Sequence, residues 1–155
     1  MSGQIAARLQ ELGIELPEPP KPVASYVPYV ITGDLIFVSG QVPMDANGIQ
    51  YRGIVGYDFS VEEAQDAARL CALNIVAQLS DALDGNLDRV TRVVRLGGFV
   101  RCTGDFTDQP KVINGASDLM VEIFGDTGRH ARAAVGVNAL PVGVAVEVDA
   151  VVAFE

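Results

Sequence analysis

The sequence predicts an α+β fold, a mixed or antiparallel sheet with two helices laid on one of its faces. Three observations predict it. Valine-rich segments with alternating apolar residues recur along the chain, as strands do. Two other segments repeat apolar residues at helical spacing. The order is strand, strand, long helix, strand, second helix, strand, strand. The 155 residues suffice for one domain with a real core, and a hydrophobic content of 49% belongs to a globular chain.

Gln4 to Gly13 reads as a short helix, with Ile5, Leu9 and Leu12 on one side and Gly13 ending it. Leu16-Pro17-Glu18-Pro19-Pro20-Lys21-Pro22 is neither helix nor central strand, because proline has no amide to donate. A stiff extended connector along the surface is expected. Residues 1–22 are thus an N-terminal helix and proline-rich connector, and 23–155 the main domain. Tyr26 to Ile31 and Leu35 to Val38 are strands joined by the turn Thr32-Gly33-Asp34. Ser39-Gly40-Gln41 follows, a small residue and a glycine that let backbone come close to a ligand. Asp45-Ala46-Asn47-Gly48 is another turn. Ser60-Val61-Glu62-Glu63 is a capping box. It opens a long helix striped by Ala64, Ala67, Ala68, Cys71, Ile75, Leu79 and Leu83, stopped by Asp84-Gly85-Asn86. Val90 to Val100 is a strand, Asp105 to Gln109 a loop, and Pro110 suits the first turn of a second helix running to about Phe124.

The last 24 residues, Arg132 to Glu155, read as an antiparallel hairpin turning at Leu140-Pro141-Val142-Gly143. With that loop, Gly136 lies opposite Glu147 and Arg132 opposite Val151, and directly opposed residues share a face. One face then carries Arg132, Ala134, Gly136, Glu147 and Asp149, and the core face carries Val135, Val137, Val144, Val146 and Val148. Arg132 and Glu147 are offset by four residues, roughly 13 Å along the strands, which suits two groups approaching a ligand from different sides or different subunits.

A net charge of −9 with no basic cluster argues against a nucleic-acid partner. No apolar run reaches the ~20 residues of a membrane span, and the N-terminus lacks the pattern of a signal peptide, so cytoplasm is the expected location. Cys71 and Cys102 read as buried thiols in a reducing compartment. A lone histidine and two distant cysteines make no metal site, and the glycines form no phosphate loop, so no cofactor is expected. The sheet face away from the helices also carries aliphatic residues and needs cover, most simply from another subunit.

Pro28-Tyr29-Val30, Val38-Ser39-Gly40-Gln41-Val42-Pro43, the Asn114 helix, Ala131-Arg132, Leu140-Pro141 and Val146-Glu147-Val148-Asp149-Ala150 occur in this order at suitable intervals. Over roughly residues 23 to 155 the chain resembles the Rid/YjgF family of reactive intermediate deaminases. That resemblance implies a chorismate-mutase-like (ferredoxin-like) fold and a homotrimer with ligand clefts between subunits. It also implies hydrolysis of small 2-imino carboxylates, formed from enamines such as 2-aminoacrylate, to 2-keto acids and ammonia. Arg132 matches the arginine that binds the substrate carboxylate, and Glu147 the glutamate that handles water. Tyr29, Ser39 and Gly40 match cleft-lining positions, Asn114 a helix asparagine beside the cleft, and Ala134 a position where many relatives have cysteine. Two departures stand out: the N-terminal 22 residues are extra relative to short members, and Asn114-Gly115-Ala116-Ser117 replaces an Asn-x-x-Tyr pattern.

Each site residue also has a plainer reading. Arg132 can clamp a carboxylate by two parallel hydrogen bonds or be a surface arginine paired with Glu147 or Asp149. Glu147 can polarise water or be an outward-facing carboxylate on a half-exposed strand. Tyr29 is core or cleft lining. His130 can shuttle protons, but is read as a loop or strand-start residue at the cleft rim. Ser39 has no basic partner and is not a nucleophile. Three functions compete: imine hydrolysis, non-catalytic binding of small carboxylates, and ribonuclease or translation inhibition, which the acidic charge disfavours.

Overall fold

The computed structural model describes residues 3–22 and 24–155. Five strands form the main sheet: β1 (Tyr29–Thr32), β2 (Leu35–Gln41), β5 (Val90–Arg101), β6 (Ala131–Val137) and β7 (Val146–Phe154), in the order β1-β2-β7-β5-β6. A two-stranded ribbon, β3 (Met44–Asp45) with β4 (Gly48–Ile49), stands beside it. β5 and β6 run parallel and the other pairs antiparallel, so the sheet is mixed.

Helices α2 (Val61–Ala82) and α3 (Gln109–Phe124) cover one face, as the sequence predicts. α2 begins at the expected capping box: the Glu63 amide donates to Ser60 Oγ (3.1 Å) and the Ser60 amide to Glu63 Oε1 (3.1 Å). The apolar faces of the two helices and the buried Ile36, Val38, Val93, Leu96, Val100, Val146, Val148, Ala150 and Val152 of the sheet form one core. Gly98 lets α3 approach, because a Cβ there would run into Ile113. A third helix, α1 (Gln4–Glu11), has no side-chain cap of its own. Asp88 serves instead, accepting from the amides of Gln4 (3.1 Å) and Ile5 (2.9 Å) at the positive end of the helix dipole. Cys71 is fully buried and Cys102 half-buried, both as free thiols.

The C-terminal hairpin is not formed. β6 and β7 run in opposite directions but β5 lies between them. The reason lies in the preceding segment: β5, α3 and β6 make a strand–helix–strand unit, whose crossover sets β6 parallel beside β5. Residues 138–145 then carry the chain across β5 to the open edge where β7 pairs, instead of turning tightly at Leu140–Gly143.

The register changes with the topology. Phe99 pairs with both Val135 and Glu147, and Leu96 with both Arg132 and Ala150. Gly136 is therefore not opposite Glu147, nor Arg132 opposite Val151. Arg132, Ala134 and Gly136 share the helix-covered face with Leu96, Gly98 and Val100. Glu147 and Asp149 share the opposite, open face with Phe99 and Gly97. The expected valine face splits as well. Val144, Val146 and Val148 are buried, whereas Val135 on the open face is 46% exposed. Val30 and Phe37 also lie exposed on that open face, paired with each other across β1 and β2.

Candidate functional site

Two clusters of chemically useful groups stand on opposite faces of the sheet. The first surrounds Arg132 on the edge strand β6. Asn114 and Ser117, three residues apart on α3, share a helix face. Arg132 Nη1 donates to Asn114 Oδ1 (2.9 Å) and to Ser117 Oγ (3.1 Å), and Nη2 donates to the Pro110 carbonyl (3.2 Å). A guanidinium has five N–H donors in a rigid fork. Both Nη1 hydrogens and one Nη2 hydrogen are thus held by α3. Among the described residues Nε–H and one Nη2–H have no partner, and these are donors that a carboxylate can engage.

His130 steadies this cradle. Its Nδ1–H donates to the Gly128 carbonyl (2.6 Å), an acceptor only, which leaves Nε2 of the neutral ring as an acceptor. The Ser117 hydroxyl accepts from Arg132 and donates to His130 Nε2 (2.8 Å). Gly128, His130, Ser117 and Arg132 form one directed chain of hydrogen bonds.

The second cluster surrounds Glu147 on β7. Between the pairs Val38–Ala150 and Gln41–Val148, β2 contributes Ser39 and Gly40 where β7 contributes only Asp149, a bulge. The bulge brings Gly40 against the Glu147 carboxylate, where a Cβ would overlap it. The Ser39 hydroxyl is turned to the Val27 carbonyl (2.7 Å) and so fastens the chain before β1. Glu147 forms part of the wall of a cavity of about 270 Å³, shared with Gly40, Pro22, Tyr26, Met44 and Val142. Burial, and then the charge of Asp149, push the Glu147 carboxyl above the ordinary carboxylate range. Burial raises Asp149 too, partly offset by Arg95 at 3.9 Å and by the Gly97 amide. A carboxyl raised toward neutrality is a more effective general base.

Of the residues singled out in the sequence, Asn114 and Ala134 gather with Arg132, and Ser39 and Gly40 with Glu147. Tyr29 joins neither cluster. It lies on β1, its hydroxyl donates to Asp81 Oδ2 (2.8 Å), and burial followed by Asp81 pushes its pKa up to about 12. Among the described residues no three His, Cys, Asp or Glu side chains gather as a metal-binding set, and no helix is long and apolar enough to cross a membrane.

A family described as "YjgF/chorismate_mutase-like, putative endoribonuclease" matches residues 6–151. The chain belongs to the YjgF family. Protein TCP17 of Trypanosoma cruzi is 53% identical over 152 residues, covering 97% of this chain and 94% of its own. The crystal structure of protein Atu1372 from Agrobacterium tumefaciens superimposes with a TM-score of 0.91 at 49% identity, covering 97% of this chain and 92% of that one. A 2-iminobutanoate/2-iminopropanoate deaminase of Dermatophagoides farinae is 29% identical over 142 residues, 92% of this chain and 95% of its own.

Within the YjgF fold, the sequence reading missed Ser117 and understated His130. Ser117 stood out only as a departure from an expected tyrosine. The signal was available in the spacing: Asn114 and Ser117 are polar at i and i+3 beside the buried Ile113 and Ala116.

Proposed function

We propose that the chain hydrolyses small 2-imino and enamine carboxylates, such as 2-iminopropanoate, to 2-keto acids and ammonia. The observation that carries this reading is the Arg132 fork, held by Asn114, Ser117 and the Pro110 carbonyl, with Nε–H and one Nη2–H unengaged among the described residues. A carboxylate received there leaves the adjacent iminium carbon at a fixed position. Water adds to that carbon as Glu147 takes its proton, giving a neutral carbinolamine. The proton passes from Glu147 to the amine, the C–N bond breaks as C=O forms, and the hydroxyl proton leaves on the nitrogen, so the products are a 2-keto acid and ammonium. The 29% sequence identity to the Dermatophagoides farinae protein named as a 2-iminobutanoate/2-iminopropanoate deaminase supports the same chemistry.

Arg132 and Glu147 face opposite sides of one sheet, so the proposed site draws Arg132 from one chain and Glu147 from another. A homotrimer satisfies this and also covers the exposed Val30, Phe37 and Val135 of the open face. The test is the initial rate of 2-keto acid release from imines made in situ by an amino acid oxidase. Hydrolysis accelerated by the wild type and lost in Arg132→Ala is the expected result. Tight 2-keto acid binding without turnover would replace this reading with a small-carboxylate-binding protein.

A further inference from the structure

The cavity beside Glu147 is built at a cost that its position explains. Two of its walls hang from α2. Asn74 Nδ2 donates to the carbonyls of Val42 and Met44 (3.0 Å each), and Gln78 Nε2 donates to the Pro20 carbonyl (2.6 Å). The two amides are one helical turn apart and 0% exposed, and their oxygens find no donor among the described residues. Leucine at either position would avoid a buried unpaired acceptor. What the amides achieve is placement, of the proline connector on one side and the β3–β4 ribbon on the other. The third wall is strained: Val142, a β-branched residue, sits at φ 52°, a backbone region such side chains rarely occupy.

The lining these devices hold in place is largely apolar. Pro22, Tyr26, Met44, Ile49 and Val142 surround a space of about 270 Å³ with Glu147 at its wall. That is just below the ~300–1,000 Å³ of sites for drug-sized ligands and far more than a methyl group needs. The connector brings four prolines, at 17, 19, 20 and 22, so its wall is stiff before any ligand arrives.

We propose that this cavity is a side-chain pocket for branched or aromatic apolar groups, so that the preferred substrates are 2-imino acids of the leucine and phenylalanine class rather than the alanine class. The proposal rests on reading Glu147 as part of the imine-hydrolysing site. The connector and Val142 then act as specificity determinants, outside the chemical step.

The experiment compares kcat/KM of the full chain for imines generated from alanine, leucine, phenylalanine and glutamate, beside calorimetric binding of the matching 2-keto acids. The leucine and phenylalanine imines should lead the alanine imine by about tenfold or more, since each added methylene in an apolar pocket is worth at least that. Val142→Gly relieves the backbone strain while removing a wall, and should lower the leucine-to-alanine ratio severalfold without lowering the melting temperature. Gln78→Leu, which frees Pro20, should lower the same ratio. Equal rates across the panel, a lead for the glutamate imine, or a ratio untouched by both variants would overturn the pocket while leaving hydrolysis standing. Absence of turnover on every imine, with the same graded preference in keto-acid binding, would overturn the hydrolase reading and keep the pocket.

Discussion

Tyr29 and Arg132 end the same cross-strand row. Tyr29 pairs with Val38, Val38 with Ala150, Ala150 with Leu96, and Leu96 with Arg132. The two residues share a face of the sheet and stand at its opposite edges, four strand spacings or roughly 19 Å apart. Neither can reach the other's neighbourhood within one chain, but the edge of one copy can present Arg132 to the edge of the next.

Arg132→Ala should nearly abolish imine hydrolysis with little effect on folding, because the residue lies on an edge strand and its partners are on one helix. A lost charge-assisted bond in a desolvated site costs about 2–5 kcal/mol, or roughly 30- to several thousand-fold in rate. Arg132→Lys should recover only part of this, since an ammonium has no parallel pair of donors. Initial rates and thermal melts on the three proteins decide it.

Ser117→Ala should loosen the fork rather than remove it. The upper bound is a hydrogen bond to a charged group, about 1.5–3 kcal/mol, so kcat/KM should fall by no more than about 160-fold. Most of the loss should appear in KM, measured from full saturation curves.

Glu147 ties stability to pH in a definite direction. Its folded pKa is raised, by burial first and Asp149 second. The stabilisation associated with its protonated form is therefore complete below the unfolded carboxylate pKa and disappears as pH rises through the folded value. Glu147→Gln should melt higher than the wild type at pH 7–8 and match it near pH 4, while losing turnover at every pH. Melting curves across that interval, giving the difference between the two proteins, are the check.

Shared sites predict complementation. Arg132→Ala and Glu147→Gln should each be inactive, yet equal mixtures refolded together should regain about a quarter of wild-type activity, the fraction of sites that receive both intact groups when chains associate at random. Sedimentation equilibrium should give three times the chain mass of 16.4 kDa, and Phe37→Asp on the open face should dissociate it.

The elements themselves were legible. The Ser60–Glu63 box, the α2 stripe and the Gly33 turn are local signals, and each is found where the residues put it. Pairing was not legible, because alternation records that a strand has two faces but not which strand lies beside it. Inserting β5 between β6 and β7 sent Arg132 and Glu147 to opposite faces, though their own sequences are unchanged by it. The Arg132 cradle depends on α3 lying over β6, a tertiary fact that only the Asn114–Ser117 spacing hinted at. At Ser39-Gly40 the sequence suggested close approach of backbone to a ligand, and the bulge itself was not foreseen. Its observed neighbour is the Glu147 carboxylate.

The strand nearest the middle of the sheet is also the last of its five strands along the chain. β7 pairs with β2 across more than a hundred residues, Leu35 with Ala153, and on its other side with β5. Until residue 154 has cleared the ribosome, the β1–β2 hairpin and the β5–α3–β6 unit have no common strand to join them, so each must wait with apolar surface uncovered. Synthesis should therefore outpace folding for this chain. A stop codon a few residues into β7 should yield aggregate and not a shortened native protein, which makes chaperone demand, and not only stability, a property of this topology.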